Sequence, residues 1–356
     1  MRLINKFLYL FFFLCPAFLA AGKSQLPIWP ILIVTNFFNV KLRVNDSIFL
    51  ILIFTFYISS IFAQTINDSN GFINNFYYIK QLMLLTIALL ISRKVDLQSI
   101  WFSLIVACTV SFIVGTLEML IPNFCNMFTY VNAVRPCSGI RVSAFYNEPS
   151  HIAFLFFTCY VYLNLFGGPK WVYFLILLAG ILFFSMSYVT LLGFVFIHRL
   201  FQKRSGATVF LFIFLAYSLV SILYLVLRDY GYLPIQQSWD KRNLFFINSF
   251  FDLDWLLVYP FFTERQFLYD GWFQALSSSN FEIMQVSKYD VVYSLSLLGG
   301  LVWSIGPLAV LWVVLKLLRS PSIFGLSVSA LLLGFPAALF VLVALFAVDR
   351  IPKERN

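Results

Sequence analysis

Runs of about 20 apolar residues, each the length a helix needs to cross the hydrocarbon layer of a bilayer, recur along this chain. Nothing else in the sequence constrains the fold as strongly. Of the 356 residues, 61% are hydrophobic and 11% charged, whereas a soluble domain carries about 25% charged residues. A water-facing fold cannot hide so much apolar surface. A membrane β-barrel is excluded, because its strands would alternate polar and apolar residues over about 10 positions. The expected class is all-α membrane: a polytopic helical bundle of about 10–12 transmembrane helices, forming one integral membrane domain over residues 1–356.

Lysines and arginines orient the bundle. Arg2 and Lys6, Lys41 and Arg43, Arg93 and Lys94, Lys170, Lys203 and Arg204, and Lys316 and Arg319 mark one side. With that side cytoplasmic, the N-terminus is inside. The spans then fall at about 5–22, 26–40, 47–64, 76–92, 97–121, 150–166, 171–186, 188–201, 207–227 and 289–317. The start, Met1 to Ala21, has the form of a signal peptide, but a further apolar segment follows at once, which favours a first membrane helix. The stretch Ile323 to Val348 either crosses once or turns at Gly334-Phe335-Pro336 as a short hairpin. The basic tail after it favours the hairpin.

The net charge of +9 would point to nucleic acid in a soluble protein. Here most cations sit in short loops that set orientation, and no nucleic-acid partner is expected. Cys15, Cys108 and Cys159 lie in apolar segments and read as core residues. Cys125 and Cys137 share one outer loop, where a disulfide is permitted but not fixed by spacing. No cysteine or histidine spacing points to a metal.

Two outer loops stand apart, Pro122 to Pro149 and Arg228 to Lys288. The second holds about a third of the charged residues and is rich in aromatics, which argues against disorder. Its stretch Tyr259 to Leu276 reads as a helix lying on the membrane surface or over a cavity. Seven cations, among them Arg135, Arg141, Arg228, Arg242 and Arg265, lie on this outer side, against the rule that holds cations inside.

The densest chemistry is Arg141 to Phe154, RVSAFYNEPSHIAF. Pro149 suits a first helical turn, which puts Glu148 at the helix start and His151 within the first turn. Free N–H groups at a helix start attract phosphate, and Arg141 can add a bidentate contact. The pattern is an anion site beside an acid or base. The plainer account is structural: Glu148 complements the helix dipole, His151 makes an ordinary interfacial hydrogen bond, and Arg141 pairs with Glu148. Ionisable groups at membrane depth favour the functional account.

This stretch resembles the one found in O-antigen polymerases of the Wzy type and related oligosaccharide repeat-unit polymerases. FFSMSYVTLLGF, Phe183 to Phe194, is similar to that family's next serine- and threonine-bearing segment. KYDVVYSLSLLGGLVWSIG, Lys288 to Gly306, resembles its Asp, Tyr and Leu-Gly-Gly-Leu pattern after the large loop. Order, spacing and hydropathy agree over about 200 residues. No glycine-rich turn precedes the final outer segment here, a departure from the family.

The resemblance implies a metal-independent, cofactor-free glycosyltransferase of the bacterial cell inner membrane, with a GT-C-like helical fold and its active site facing the periplasm. Such enzymes join oligosaccharide repeat units carried on undecaprenyl pyrophosphate, building lipopolysaccharide O-antigen or capsule, in company with a flippase and a chain-length regulator. The resemblance assigns the pyrophosphate to Arg141 and the acceptor hydroxyl to Glu148 or His151. Arg242 is its best match for an arginine in the large loop, with Arg228 second; Arg135 is a further substrate-binding candidate. An O-antigen ligase is the first alternative, but ligases show a histidine in the large loop and this loop has none. A lipid-linked oligosaccharide flippase would place charges midway along several helices and show repeated halves; neither is present.

Several other residues are weighed. Glu118 could join the site, but reads as an interfacial carboxylate. Lys80 reads as a snorkelling lysine and His198 as structural. Ser185, Ser187, Tyr188 and Thr190 either line the cavity or satisfy a tight turn. Trp239, Trp255 and Trp272 read as an aromatic belt before sugar-stacking platforms. Asp252, Asp254, Asp270 and Asp290 are potential partners for the arginines.

Overall fold

The computed structural model describes residues 2–14, 20–21, 24–25, 88–121, 149–232, 307–318, 320–333 and 339–350, with isolated positions at 47, 51, 142, 144, 243, 246 and 298. The described residues are almost wholly helical. In chain order they form α1 (Arg2–Leu14), α2 (Leu97–Leu120), α3 (Pro149–Phe166), α4 (Lys170–Leu182), α5 (Met186–Phe201), α6 (Gly206–Asp229), α7 (Pro307–Leu318), α8 (Ser322–Ser329) and α9 (Leu339–Ala347). Helices α2 and α6 are long and apolar enough to cross a membrane. The span expected at 26–40, most of 47–64 and 76–92, and most of the first half of 289–317 lie outside the described residues.

One boundary is corrected. The first helix was expected over 5–22, yet α1 ends at Leu14, and Ala20–Ala21 pairs antiparallel with Ser24–Gln25.

Helix α2 is the spine of the bundle. Its N-cap Asp96 accepts hydrogen bonds from the Gln98 and Ser99 amides at 3.4 and 3.3 Å, a cap worth about 1 kcal/mol. Along one buried stripe Ser99, Ser103, Ala107, Ser111 and Gly115 follow every fourth residue. Positions four apart lie one above another on a helix face, and small side chains let neighbouring backbones approach closely. Ser103 Oγ accordingly reaches the Lys6 carbonyl on α1 at 2.8 Å, and Cys108 Sγ lies 3.9 Å from the Leu155 carbonyl on α3.

Gly115 ends this stripe under the turn between α4 and α5. A Cβ there would lie 2.5 Å from Phe183 Cζ and 3.0 Å from Val142 Cγ1. The Phe183 ring is fully buried and packs on Phe156 at 5.7 Å between centroids, so it has nowhere to go. Gly115→Ala should therefore destabilise the purified chain by about 1–3 kcal/mol, as over-packing does, and the loss should register in thermal unfolding. An unchanged transition would mean that Phe183 is free to move.

The segment 323–348 returns on itself. Asp349 accepts a hydrogen bond from Ser320 Oγ at 3.1 Å and forms ion pairs with Arg93 and Lys316 at 3.4 and 3.7 Å. Arg350 donates to the Val95 carbonyl at 2.7 Å. The two ends of the segment are thus together, which is the hairpin and not the single crossing. Residues 322–333 and 340–348 are buried on every side, and Tyr162 of α3 donates to the Ala344 carbonyl at 2.9 Å. A helix apolar all round belongs in a core; the short hairpin occupies the middle of the bundle, wrapped by longer helices.

Candidate functional site

The bundle has two distinguishable ends. Asp349 gathers Arg93, Lys316 and Ser320 at one. Helix α2 starts there at Asp96, and α6 starts beside it, where the Gly206 amide donates to the Ser320 carbonyl at 3.0 Å. Glu118 on α2 and Arg228 on α6 each lie 22 residues further along their helices, roughly 33 Å away at 1.5 Å per residue. The far end is therefore where the sequence motif and the large loop meet the helices.

Glu118 lies one turn beyond Gly115 on the same buried face and is only 8% exposed. Its Oε2 accepts a hydrogen bond from the Ala144 amide at 3.1 Å. Ala144 is buried with a φ of 50°, a left-handed conformation that costs a residue with a Cβ about 1–2 kcal/mol. A hydrogen bond contributes about 0.5–1.5 kcal/mol, which helps to offset that strain. The carboxylate on α2 thus holds the backbone of the motif stretch where it leads into α3. Sequence reasoning read Glu118 as an interfacial carboxylate. The signal it underused was position, since Glu118 continues the buried stripe of α2.

Arg141 and Glu148, three residues before and four after Ala144, lie outside the described residues, as does Arg135. His151 is the third residue of α3 and is half-buried. Val142 is buried against Gly115.

Arg228 needs a correction of place. It was assigned to the outer loop, but α6 continues through it to Asp229, and its side chain is buried. A cation in the last turn complements the partial negative charge of the helix C-terminus, which explains the extra turn. Ser221, seven residues earlier on the same face, donates to Asn243 Oδ1 at 2.8 Å. Phe246 packs on Tyr217 and Phe214 at 4.6 and 5.7 Å. The chain after α6 therefore folds back along the helix and fixes Asn243, the neighbour of Arg242. Arg242 itself, the large-loop tryptophans and aspartates, Cys125 and Cys137 lie outside the described residues.

Three of the four polar residues near the turn between α4 and α5 make hydrogen bonds to nearby groups. Ser185 caps α5 by accepting from the Tyr188 amide at 3.2 Å, Tyr188 donates its hydroxyl to the Ile176 carbonyl, and Thr190 donates to the Met186 carbonyl at 2.8 Å. The Ser185 cap serves the turn itself, Tyr188 ties α5 to α4, and the Thr190 bond lies within α5. Among the described residues no group of three His, Cys, Asp or Glu is placed to hold a metal.

Fold and site together define an α-helical bundle with a buried carboxylate on α2, a buried arginine on α6 and a histidine in the first turn of α3, each at a helix end. Comparison of the chain with family models, curated proteins and solved structures returns no match in any of the three.

Proposed function

We propose that the chain is a polytopic integral membrane glycosyltransferase of GT-C-like helical architecture, acting as a polymerase of undecaprenyl-pyrophosphate-linked repeat units at the periplasmic face of the inner membrane. The observation that carries this reading is the hydrogen bond from Ala144 to Glu118, which ties the Arg141 to Phe154 stretch, at Ala144, to the far end of α2. A buried carboxylate under the backbone holds the motif stretch in a defined position at Ala144.

Support for the membrane comes from the outward faces of α4, α5 and α6. Ile181, Phe196 and Leu219 are 71%, 64% and 67% exposed, and each lies in a stripe of exposed apolar side chains at helical spacing. Exposed apolar area on that scale fits a lipid surface.

In the proposed reaction the non-reducing-end hydroxyl of one repeat unit attacks the anomeric carbon of the growing chain. The bond from that carbon to the pyrophosphate oxygen breaks, and undecaprenyl pyrophosphate leaves with the electron pair. Glu148 or His151 takes the hydroxyl proton. Arg141, with Arg242, Arg228 and Arg135, meets the charge on the departing pyrophosphate. Such a leaving group needs little more than positioning and charge stabilisation.

Deleting the gene and running the surface glycolipid on a gel tests the reading. A single repeat unit on the lipid core without a ladder is the expected result. Full polymer left on its lipid carrier would mean a ligase, and single units trapped on the cytoplasmic side would mean a flippase. Within the polymerase reading, Glu148→Gln and His151→Ala divide the base from its neighbour. Loss of the base should slow polymerisation by about 10²–10⁴-fold. Equal, mild effects of both would remove general-base catalysis from the mechanism.

A further inference from the structure

We propose a second site at the opposite end of the bundle: a cleft that binds a phosphate group. The cleft, about 610 Å³, lies between the last turns of α3 and α5, the 202–205 loop and the first turn of α8. It is distinct from the far-end site, which lies roughly 33 Å away along α2 and α6.

Three independent features converge there. His198 lines the cleft, is 5% exposed, and neither of its ring nitrogens has a hydrogen-bond partner. A neutral imidazole always carries one N–H donor, and leaving a buried polar group unmet is costly, so His198 has hydrogen-bonding capacity to offer a ligand in the cleft. Ser322 and Ile323 also line the cleft and are buried. They open α8 behind Pro321, which offers no side-chain cap, and among the described residues their amides meet no acceptor. Free amides at a helix start are a ready anion site. Lys203 and Arg204 stand exposed on the rim.

The sequence brings these together through two glycines. Gly206 at the start of α6 crosses Gly325 of α8 in backbone contact; a Cβ on Gly206 would lie 2.8 Å from the Pro321 carbonyl oxygen. That crossing sets the first turn of α8 beside Lys203 and Arg204. The nearby acid, Asp349, is already held by Arg93, Lys316 and Ser320. The lining therefore presents donors and cations, arranged around a space larger than a carboxylate needs. A tetrahedral phosphate, with several acceptor oxygens, matches it.

The phosphate could belong to a lipid headgroup or to a soluble phosphate ester, and one experiment separates them. The purified full chain in nonionic detergent is titrated calorimetrically with inorganic phosphate and with dioctanoyl phosphatidic acid. Saturable binding is expected, weakened about tenfold or more in Lys203→Ala/Arg204→Ala. Ser322→Pro should weaken it similarly, because it removes one amide donor at a position that tolerates proline. Pro321, at φ −66° and ψ 158°, already has the backbone a following proline demands, and the double variant is on the surface; because Ser322 is buried, an unchanged thermal unfolding transition is required of its variant before its binding is read. Phosphatidic acid that resists displacement by inorganic phosphate would assign the site to a lipid headgroup. Ready displacement would assign it to a soluble ester. No saturable binding, or binding unchanged in both variants, would overturn the proposal.

Discussion

Replacing Arg141 with alanine is expected to abolish polymer, leaving single repeat units on the lipid core while the protein still reaches the membrane. In the proposed reaction the pyrophosphate would gain negative charge as its bond to the anomeric carbon breaks. A guanidinium can meet that charge with two parallel hydrogen bonds in fixed geometry. Removing one donor aimed at developing charge typically costs about 10²–10³-fold in rate. A ladder compounds the loss, since each added unit requires another transfer. Arg141→Lys should give short ladders, because lysine keeps the charge and loses the fork. The measurement is the gel profile beside an immunoblot of membranes. A normal ladder from Arg141→Ala would end the pyrophosphate role.

Glu118→Ala is expected to have the next largest effect, through position and not through chemistry. The buried Ala144 amide would lose its acceptor, at a cost of about 1–3 kcal/mol, and the left-handed backbone at Ala144 would lose its support. The stretch leading to Glu148 and His151 would relax, so polymer length should fall together with the thermal unfolding transition. Glu118→Gln retains a carbonyl oxygen that can accept from Ala144, and should preserve most of both. If Glu118 were only an interfacial carboxylate, both variants would leave the ladder intact.

Much of the helical layout was legible in the sequence because helix position is a local property. Spans read at 97–121, 150–166 and 207–227 are found at Leu97–Leu120, Pro149–Phe166 and Gly206–Asp229. Apolar run length and flanking charge decide where such helices start and stop. The return of the C-terminal segment was legible for the same reason, since charge placement favoured the hairpin that Asp349 and Ser320 close. Where local reading failed, the cause was also local: the favourable last-turn cation Arg228 was cut from its helix.

The site was legible only as a set of residue types near a helix start. Composition and periodicity determined an α-helical, apolar chain with its chemistry gathered at helix ends. Which of those polar groups act together was decided by the tertiary structure alone. Glu118 meets Ala144 across 26 residues of chain, Ser221 meets Asn243 across 22, and Gly206 meets Gly325 across more than a hundred. No short-range pattern encodes such pairings. They follow from how closely two helices approach, and that distance is set by small side chains on facing surfaces, which appear in sequence only as scattered serines, alanines and glycines.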